Sequence, residues 1–190
     1  KDKLWAEIVK NKIMNQALLL KKIKSSKYKL VLSYVNEVVD GDKTNREGHA
    51  AKVYFNALFG MDFTRNEENA VNAALNYGYS IVLSAFNREI AACGYLTQLG
   101  LCHCNVFNPY NLSCDLMEPF RQLVDRKVYA GKYTEFSVDA KRELLNILNE
   151  PIYIAESKQT ALNGIRLYTR SVFEALNEGD ASLIKFYGII

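Results

Sequence analysis

Histidine is scarce in this chain: His49 and His103 are the only two among 190 residues. Nucleophilic catalysis by Cys104 or Cys114 would therefore have little imidazole to draw on, and no residue set resembles a cysteine-hydrolase signature. His49, between Gly48 and Ala50 in a predicted helix, is expected to pack or to touch a substrate. No apolar run approaches the roughly 20 residues needed to cross a bilayer. The first residues, Lys1-Asp2-Lys3-Leu4-Trp5-Ala6-Glu7, are too polar for a secretory leader, so the expected location is cytoplasmic. Phosphate-loop and dinucleotide fingerprints are missing too, which argues against a nucleotide-driven enzyme. Repeats, low-complexity tracts and interdomain linkers are also lacking, and residues 1–190 read as one folded unit.

With 49% hydrophobic and 24% charged residues, the chain has enough apolar material for one substantial core. Cys93, Cys102, Cys104 and Cys114 are too few and too clustered to staple a secreted mini-domain and are expected as reduced thiols. A net charge of +3 does not by itself argue for nucleic acid. The charge is unevenly spread, however: Lys21, Lys22, Lys24, Lys27 and Lys29 crowd a junction between predicted helices. They read either as a phosphate-contacting patch or as a solvated helix end whose cations the helix dipole favours. The sequence begins at Lys1 without methionine and enters an amphipathic pattern at once, which predicts a fragment or processed product.

Apolar residues recur at helical spacing almost throughout and strand-like alternation is scarce, so the expected fold class is all-α. Leu4, Ile8, Val9, Ile13, Ala17 and Leu20 mark a first helix, and Leu30, Val31, Val35, Val38 and Val39 a second. A third spans about 45–59, with Ala50, Ala51, Tyr54 and Leu58 buried and Gly60 as its stop. Asn66, followed by Glu67 and Glu68, marks the start of a long helix running to Cys93. Its small residues Ala70, Ala73, Ala74, Gly78 and Ser84 let neighbours approach closely, as expected of a central helix surrounded by others. Glycine, asparagine and proline break the pattern between 94 and 112, which puts His103 on or beside a connecting segment. Further helices are predicted over 113–128, 138–149 with Ser137 as cap, and 158–178 between Ser157 and Gly179.

Two carboxylates share a local context: Glu47 in Thr44-Asn45-Arg46-Glu47-Gly48 and Glu118 in Asp115-Leu116-Met117-Glu118-Pro119, with His103 between them in sequence. Both contexts look like helix starts at which the glutamate folds back onto its cap. Equally, two hard oxygen donors and one imidazole suit magnesium or manganese, with water in the open positions. Such a site would bind a phosphodiester oxygen, stabilise charge in the transition state and activate a hydroxyl or water. Asp115 would lie on nearly the same helix face as Glu118, as a supporting group or a second-ion ligand. The readings differ in direction, and the metal reading predicts that Glu47 and Glu118 point away from their backbones toward His103. A zinc site of Cys102, His103, Cys104 and Cys114 is a rival, but Cys-x-x-Cys knuckles are lacking, and an extended Cys102-His103-Cys104 would turn the imidazole away from both thiols. A noncatalytic helical DNA-binding or assembly module, whose acids only cap helices, is the remaining alternative.

The strings Asn45-Arg46-Glu47-Gly48-His49-Ala50-Ala51-Lys52-Val53-Tyr54-Phe55, Ala74-Leu75-Asn76-Tyr77-Gly78-Tyr79-Ser80 and Asp115-Leu116-Met117-Glu118-Pro119-Phe120-Arg121 together resemble the CRISPR adaptation integrase family, the first-numbered CRISPR-associated protein. The likeness covers essentially the whole chain. It looks nearest to type II versions in Gly94-Tyr95-Leu96-Thr97-Gln98-Leu99-Gly100 and Asn111-Leu112-Ser113-Cys114-Asp115. It implies a helical, metal-dependent endonuclease and integrase domain, with Glu47, His103 and Glu118 as catalytic Mg2+ or Mn2+ ligands and Asp115 close by. Family members carry a preceding β-rich domain of ~100 residues, a usual domain size, which helps build a homodimer and is missing here. The implied activity is insertion of foreign DNA fragments into a CRISPR array by attack of a 3′-hydroxyl on a phosphodiester of the repeat. Implied partners are double-stranded DNA, as prespacer and repeat, and the second CRISPR adaptation protein. Arg46, Lys52 and Arg121, which neighbour the ligands, are candidate DNA contacts or partners in intramolecular salt bridges.

Overall fold

The computed structural model describes residues 1–188. Helix α1 (Asp2–Lys22) buries the predicted stripe of Leu4, Ile8, Val9, Ile13, Ala17 and Leu20, and packs against α2 (Tyr28–Ser33) and α3 (Arg46–Phe59). The second predicted helix is shorter than expected. It passes into a 3-10 turn over Tyr34–Glu37 and gives way to extended backbone at Val38 (φ −70°, ψ 120°), where β-branched Val35, Val38 and Val39 weaken helix preference. Helix α3 stops as predicted at Gly60, which sits at φ 109° and donates its N–H to the Asn56 carbonyl.

Helix α4 (Ala70–Ala92) is the spine, packed against α5 (Asn111–Leu116), α6 (Arg121–Gly131), α7 (Val138–Leu145) and α8 (Ala161–Glu178). Its cap is Asn69 rather than Asn66: Asn69 Oδ1 accepts the Asn72 N–H at 2.8 Å. Asn66 is kept in the preceding turn because the Asn72 amide donates to the carbonyls of Thr64 (2.8 Å) and Glu67 (2.9 Å), tying that segment outside the helix. Gly78 marks the close approach of α6, since a methyl group there would collide with Val124.

The helix predicted over 113–128 is split into α5, a 3-10 turn over Glu118–Phe120 and α6, because Pro119 supplies no N–H to continue the ladder. Ser137 caps α7 as predicted, accepting the Ala140 N–H at 3.3 Å, and the helix ends in a 3-10 turn over Asn146–Asn149.

The fold is mostly helical, with one small antiparallel sheet of order β2-β1-β3 built from β1 (Pro151–Ile154), β2 (Ser157–Thr160) and β3 (Tyr187–Gly188). Ile154 pairs with Ser157 on one side and Tyr187 on the other. Ser157 is therefore in a strand, and the cap of α8 is Thr160, whose Oγ1 accepts the Asn163 N–H at 3.2 Å.

The core has two clusters. One gathers α1, α2 and α3 around Trp5, Ile8 and Tyr54, and the other surrounds α4 with Leu75, Phe86, Phe120 and Tyr168. Phe55, Phe59, Leu101 and Phe186 touch both. The Glu118–Phe120 turn packs against α1, and this contact builds the site. Among the described residues, no helix is long and apolar enough to cross a membrane.

Candidate metal centre

The start of α3 is capped by residues other than Glu47. Asp42 accepts the N–H groups of Arg46 and Glu47, each at 2.9 Å, and Asn45, held at φ 52°, accepts that of Gly48 at 3.2 Å. With those donors satisfied, Glu47 turns away from its own helix start, and its Oε1 accepts from Lys12 Nζ at 2.5 Å. Glu118, on the turn before α6, touches the same ammonium through Oε2, while its Oε1 accepts from Arg121 Nε at 2.8 Å. Two carboxylates from separate elements thus converge on one cation. The Glu118 side chain is 4% exposed and that of Glu47 29%, so solvent reaches the cluster on the Glu47 side. Burial alone would raise the Glu118 pKa, but the charges of Arg121 and Lys12 outweigh it and hold the carboxyl at about 2.

Asp115 and Glu118 do not act as neighbours on one helix face. Asp115 is fully buried and gathers the loop that carries His103: Oδ2 accepts the N–H groups of Leu101 (2.6 Å) and Cys102 (3.0 Å), and Oδ1 that of His103 (3.1 Å). The ring Nδ1 of His103 lies 2.5 Å from the same Oδ1. That hydrogen bond favours imidazolium and, against burial, raises the His103 pKa; the charges of Asp115, Glu118 and Glu47 add to the effect. Trp5 stands edge-on to the imidazole with ring centres 6.1 Å apart.

The structure brings Glu47 and Glu118 together at Lys12 and sets His103 on Asp115. Among the described residues, no three His, Cys, Asp or Glu side chains converge closely enough to hold one ion as they stand. The same applies to Cys102, His103, Cys104 and Cys114: Cys102 and Cys104 are exposed, and Cys114 is half-buried beside Asn108. Arg46 pairs with Glu37 at 2.9 Å and Arg121 with Glu118, so both make intramolecular ion pairs, whereas Lys52 is exposed. His49 is exposed beside Tyr34, and Lys21, Lys24, Lys27 and Lys29 are exposed at the junction of α1 and α2.

The donor chemistry fits a divalent ion. The Lys12 ammonium already sits where two carboxylate oxygens meet, and with Asp115 engaged at Nδ1, loss of the imidazolium proton would leave His103 Nε2 as the nitrogen for a ligand bond. Lys12 is the residue sequence reasoning missed. It falls on the buried stripe of α1 among Ile8, Val9 and Ile13, and a lysine on an apolar stripe signals a buried partner.

A second buried carboxylate lies behind the site. Asp125 accepts from Tyr54 Oη at 2.9 Å and from Tyr79 Oη, and Arg121 stacks on the Tyr79 ring with its guanidinium carbon 4.8 Å from the centroid. Burial raises the Asp125 pKa to about 6, against the hydrogen bonds from both tyrosines. A raised carboxyl pKa means that the stabilising contribution is complete below the unfolded value near 3.8 and is lost as pH rises through about 6. Asp125→Asn is therefore expected to remove a loss of ~3 kcal/mol between pH 4 and 7, read as a flatter profile of urea midpoint against pH. An unchanged profile would show that Asp125 is ionised at little cost.

A mostly helical domain whose paired glutamates enclose a cation beside a carboxylate-held imidazole is the class that fold and site define. Residues 2–132 match the family model of the CRISPR associated protein Cas1. The chain belongs to the Cas1 family. It is 37% identical over 196 residues to the CRISPR-associated endonuclease Cas1 of Neisseria meningitidis serogroup C (strain 8013), a match covering 100% of this chain and 64% of that protein. A CRISPR-associated endonuclease Cas1 of Francisella tularensis subsp. novicida (strain U112) is 27% identical over 146 residues, covering 70% of this chain and 45% of that protein. A solved Cas1 structure from Thermotoga maritima superposes with a TM-score of 0.76 at 18% identity, over 93% of this chain and 65% of that one. A casposase bound to integration product gives 0.72 at 20% identity, over 96% of this chain and 68% of that one.

Proposed function

We propose that residues 1–190 form the catalytic domain of a metal-dependent DNA endonuclease and integrase that adds new spacers to a CRISPR array. The observation that carries this reading is the convergence of Glu47 and Glu118 on one cation position in a Cas1-family chain. Glu47, Glu118 and His103 Nε2 would hold Mg2+ or Mn2+. Such an ion supplies charge stabilisation at the phosphate and makes an attacking hydroxyl or water more acidic.

In strand transfer the 3′-hydroxyl oxygen of a DNA fragment forms a new bond to a phosphorus of the repeat. The bond from that phosphorus to the 3′-oxygen of the repeat strand breaks; the attacking hydroxyl gives its proton to water, and the departing oxygen takes one up to become a free 3′-hydroxyl. Water in place of the hydroxyl gives cleavage. Glu118 contributes a carboxylate that is ionised throughout the working pH range and oriented by Arg121. Asp115 holds the His103 ring at Nδ1, and with the imidazole neutral Nε2 would be the nitrogen that binds the ion.

Double-stranded DNA, as prespacer and repeat, and a second adaptation protein are the proposed partners, with a homodimer formed by the longer protein. The similar solved folds titled as a casposase bound to integration product and a Cas6-RT-Cas1–Cas2 complex (TM-score 0.74, 20% identity) support this assignment. Exposed Lys52 is the freest of the candidate phosphate contacts. In the longer protein, Glu47→Ala and His103→Ala should each slow Mn2+-dependent cleavage of branched DNA by ~100-fold or more, with metal-free DNA binding retained. Wild-type rates in either variant, or undiminished cleavage in EDTA, would overturn the reading.

A further inference from the structure

Resting on that reading, we infer that Lys12 is a resident counter-ion for the two glutamates: its ammonium holds the ligand position in the metal-free protein and is expelled when a divalent ion loads. Lys12 projects from the buried stripe of α1 and is 7% exposed, yet its ammonium contacts Glu47 Oε1 at 2.5 Å and also Glu118 Oε2. Two buried or half-buried carboxylates facing each other without a cation would repel, so a preformed ligand pair needs a stand-in charge. Lysine fills that role imperfectly. One ammonium has to serve both Glu47 Oε1 and the buried Glu118 Oε2, and it shares its charge between them. An ammonium directs three hydrogens, whereas a metal ion asks only for oxygen at a short distance.

Charge counting shows why the two cations exclude each other. Glu47 and Glu118 (−2) with Lys12 and Arg121 (+2) sum to zero. A divalent ion added beside Lys12 would bring the cluster to +2, with two cations on the same oxygens, whereas exchange for Lys12 brings it to +1, an attractive value for a phosphodiester. Solvent reaches the cluster at Glu47, and the flexible four-carbon stem of lysine lets the ammonium leave toward water on that side while its methylenes stay against α1. Lys12 is thus a positioning residue: it keeps Glu47 and Glu118 facing one point and sets how tightly an ion competes for them.

The test uses the full chain and Mn2+ alone as probe, with free Mn2+ counted by electron paramagnetic resonance. Lys12→Met is expected to bind Mn2+ at least ~10-fold more tightly than wild type, because the competing charge is gone. It should also melt at a lower temperature without metal and gain more from Mn2+ than wild type does. Lys12→Arg, always charged, should bind no more tightly than wild type. On the wild-type protein, amine labelling of Lys12 read by mass spectrometry should rise several-fold when Mn2+ is added, a measurement that stands even where Lys12→Met does not fold. Equal Mn2+ affinity in wild type and Lys12→Met, or labelling of Lys12 unmoved by Mn2+, overturns the inference and leaves the metal reading standing. Mn2+ binding that survives Glu118→Gln, or none in either wild type or Lys12→Met, overturns the metal reading as well.

Discussion

Glu118→Gln is expected to reduce metal-dependent cleavage and strand transfer by ~1,000-fold or more, the scale of losing an electrostatic group at the reacting phosphate. The carboxylate is held ionised by Arg121 and Lys12 in spite of burial, so as a metal ligand it would not be displaced by protons at working pH. An amide is neutral, and its NH2 would be turned either toward Lys12 Nζ or toward Arg121 Nε, donor against donor. Part of the effect is structural: removing one member of a buried ion cluster costs ~3–5 kcal/mol, less here in proportion to the exposure of Arg121. Thermal melts of the variant are therefore needed beside the kinetics, with activity measured well below its midpoint. Glu118→Asp keeps the charge one methylene short of Lys12; it should retain more stability than the glutamine and still lose most of the activity. A folded Glu118→Gln protein that cleaves DNA at the wild-type rate would show that Glu118 holds no catalytic ion.

The helical class was legible because the stripe Leu4, Ile8, Val9, Ile13, Ala17 and Leu20 on α1, and Ala74 and Gly78 on α4, report burial directly, whereas Ser84 on the same helix is exposed. The misplaced boundaries have local competitors. Asn69 caps as well as Asn66 would, Pro119 interrupts an otherwise continuous apolar pattern, and the hairpin before α8 turns on Ala155 and Glu156 at φ 49° and 59°. Such a turn ordinarily announces itself with asparagine or glycine, and here it gives no such signal.

At the site, the types of Glu47, Glu118 and His103 were readable, but what turns each of them was not. Glu47 is released from capping by Asp42, which reaches the helix start from a left-handed turn of Gly41 (φ 73°) and Asp42 (φ 48°); glycine and aspartate mark such a turn, but not which helix start its carboxylate will cap. Asp115 looked like a companion of Glu118 at helical spacing, and the Pro119 break sends it instead to a loop 12 to 14 residues earlier. Lys12 lies on a different helix from either glutamate, so its place between them is a property of tertiary packing alone.

The second large effect concerns that loop. Asp115→Ala would leave the N–H groups of Leu101, Cys102 and His103 without their acceptor and free the imidazole at once. Each orphaned donor costs ~1–3 kcal/mol where water cannot replace the carboxylate, enough to melt the segment locally while α4 and its neighbours hold. Metal-dependent cleavage should fall by ~100-fold, the upper end for removal of a group that orients a metal ligand, and amide exchange at 101–103 should accelerate. The His103 pKa, raised chiefly by the Asp115 hydrogen bond, should move down in an NMR titration of the variant. Gly100→Ala approaches the same cradle from outside: a methyl group there would collide with the His103 carbonyl oxygen and crowd Asp115 Oδ2, so the carboxylate stays but its fit is lost. If His103 acts only when Asp115 holds it, both variants share the fast exchange and the lost activity, and Gly100→Ala does so with every ionisable group of the site in place. Fast exchange with wild-type cleavage in Gly100→Ala would mean that the ring finds its position without the cradle, and Asp115 would then be a loop anchor alone.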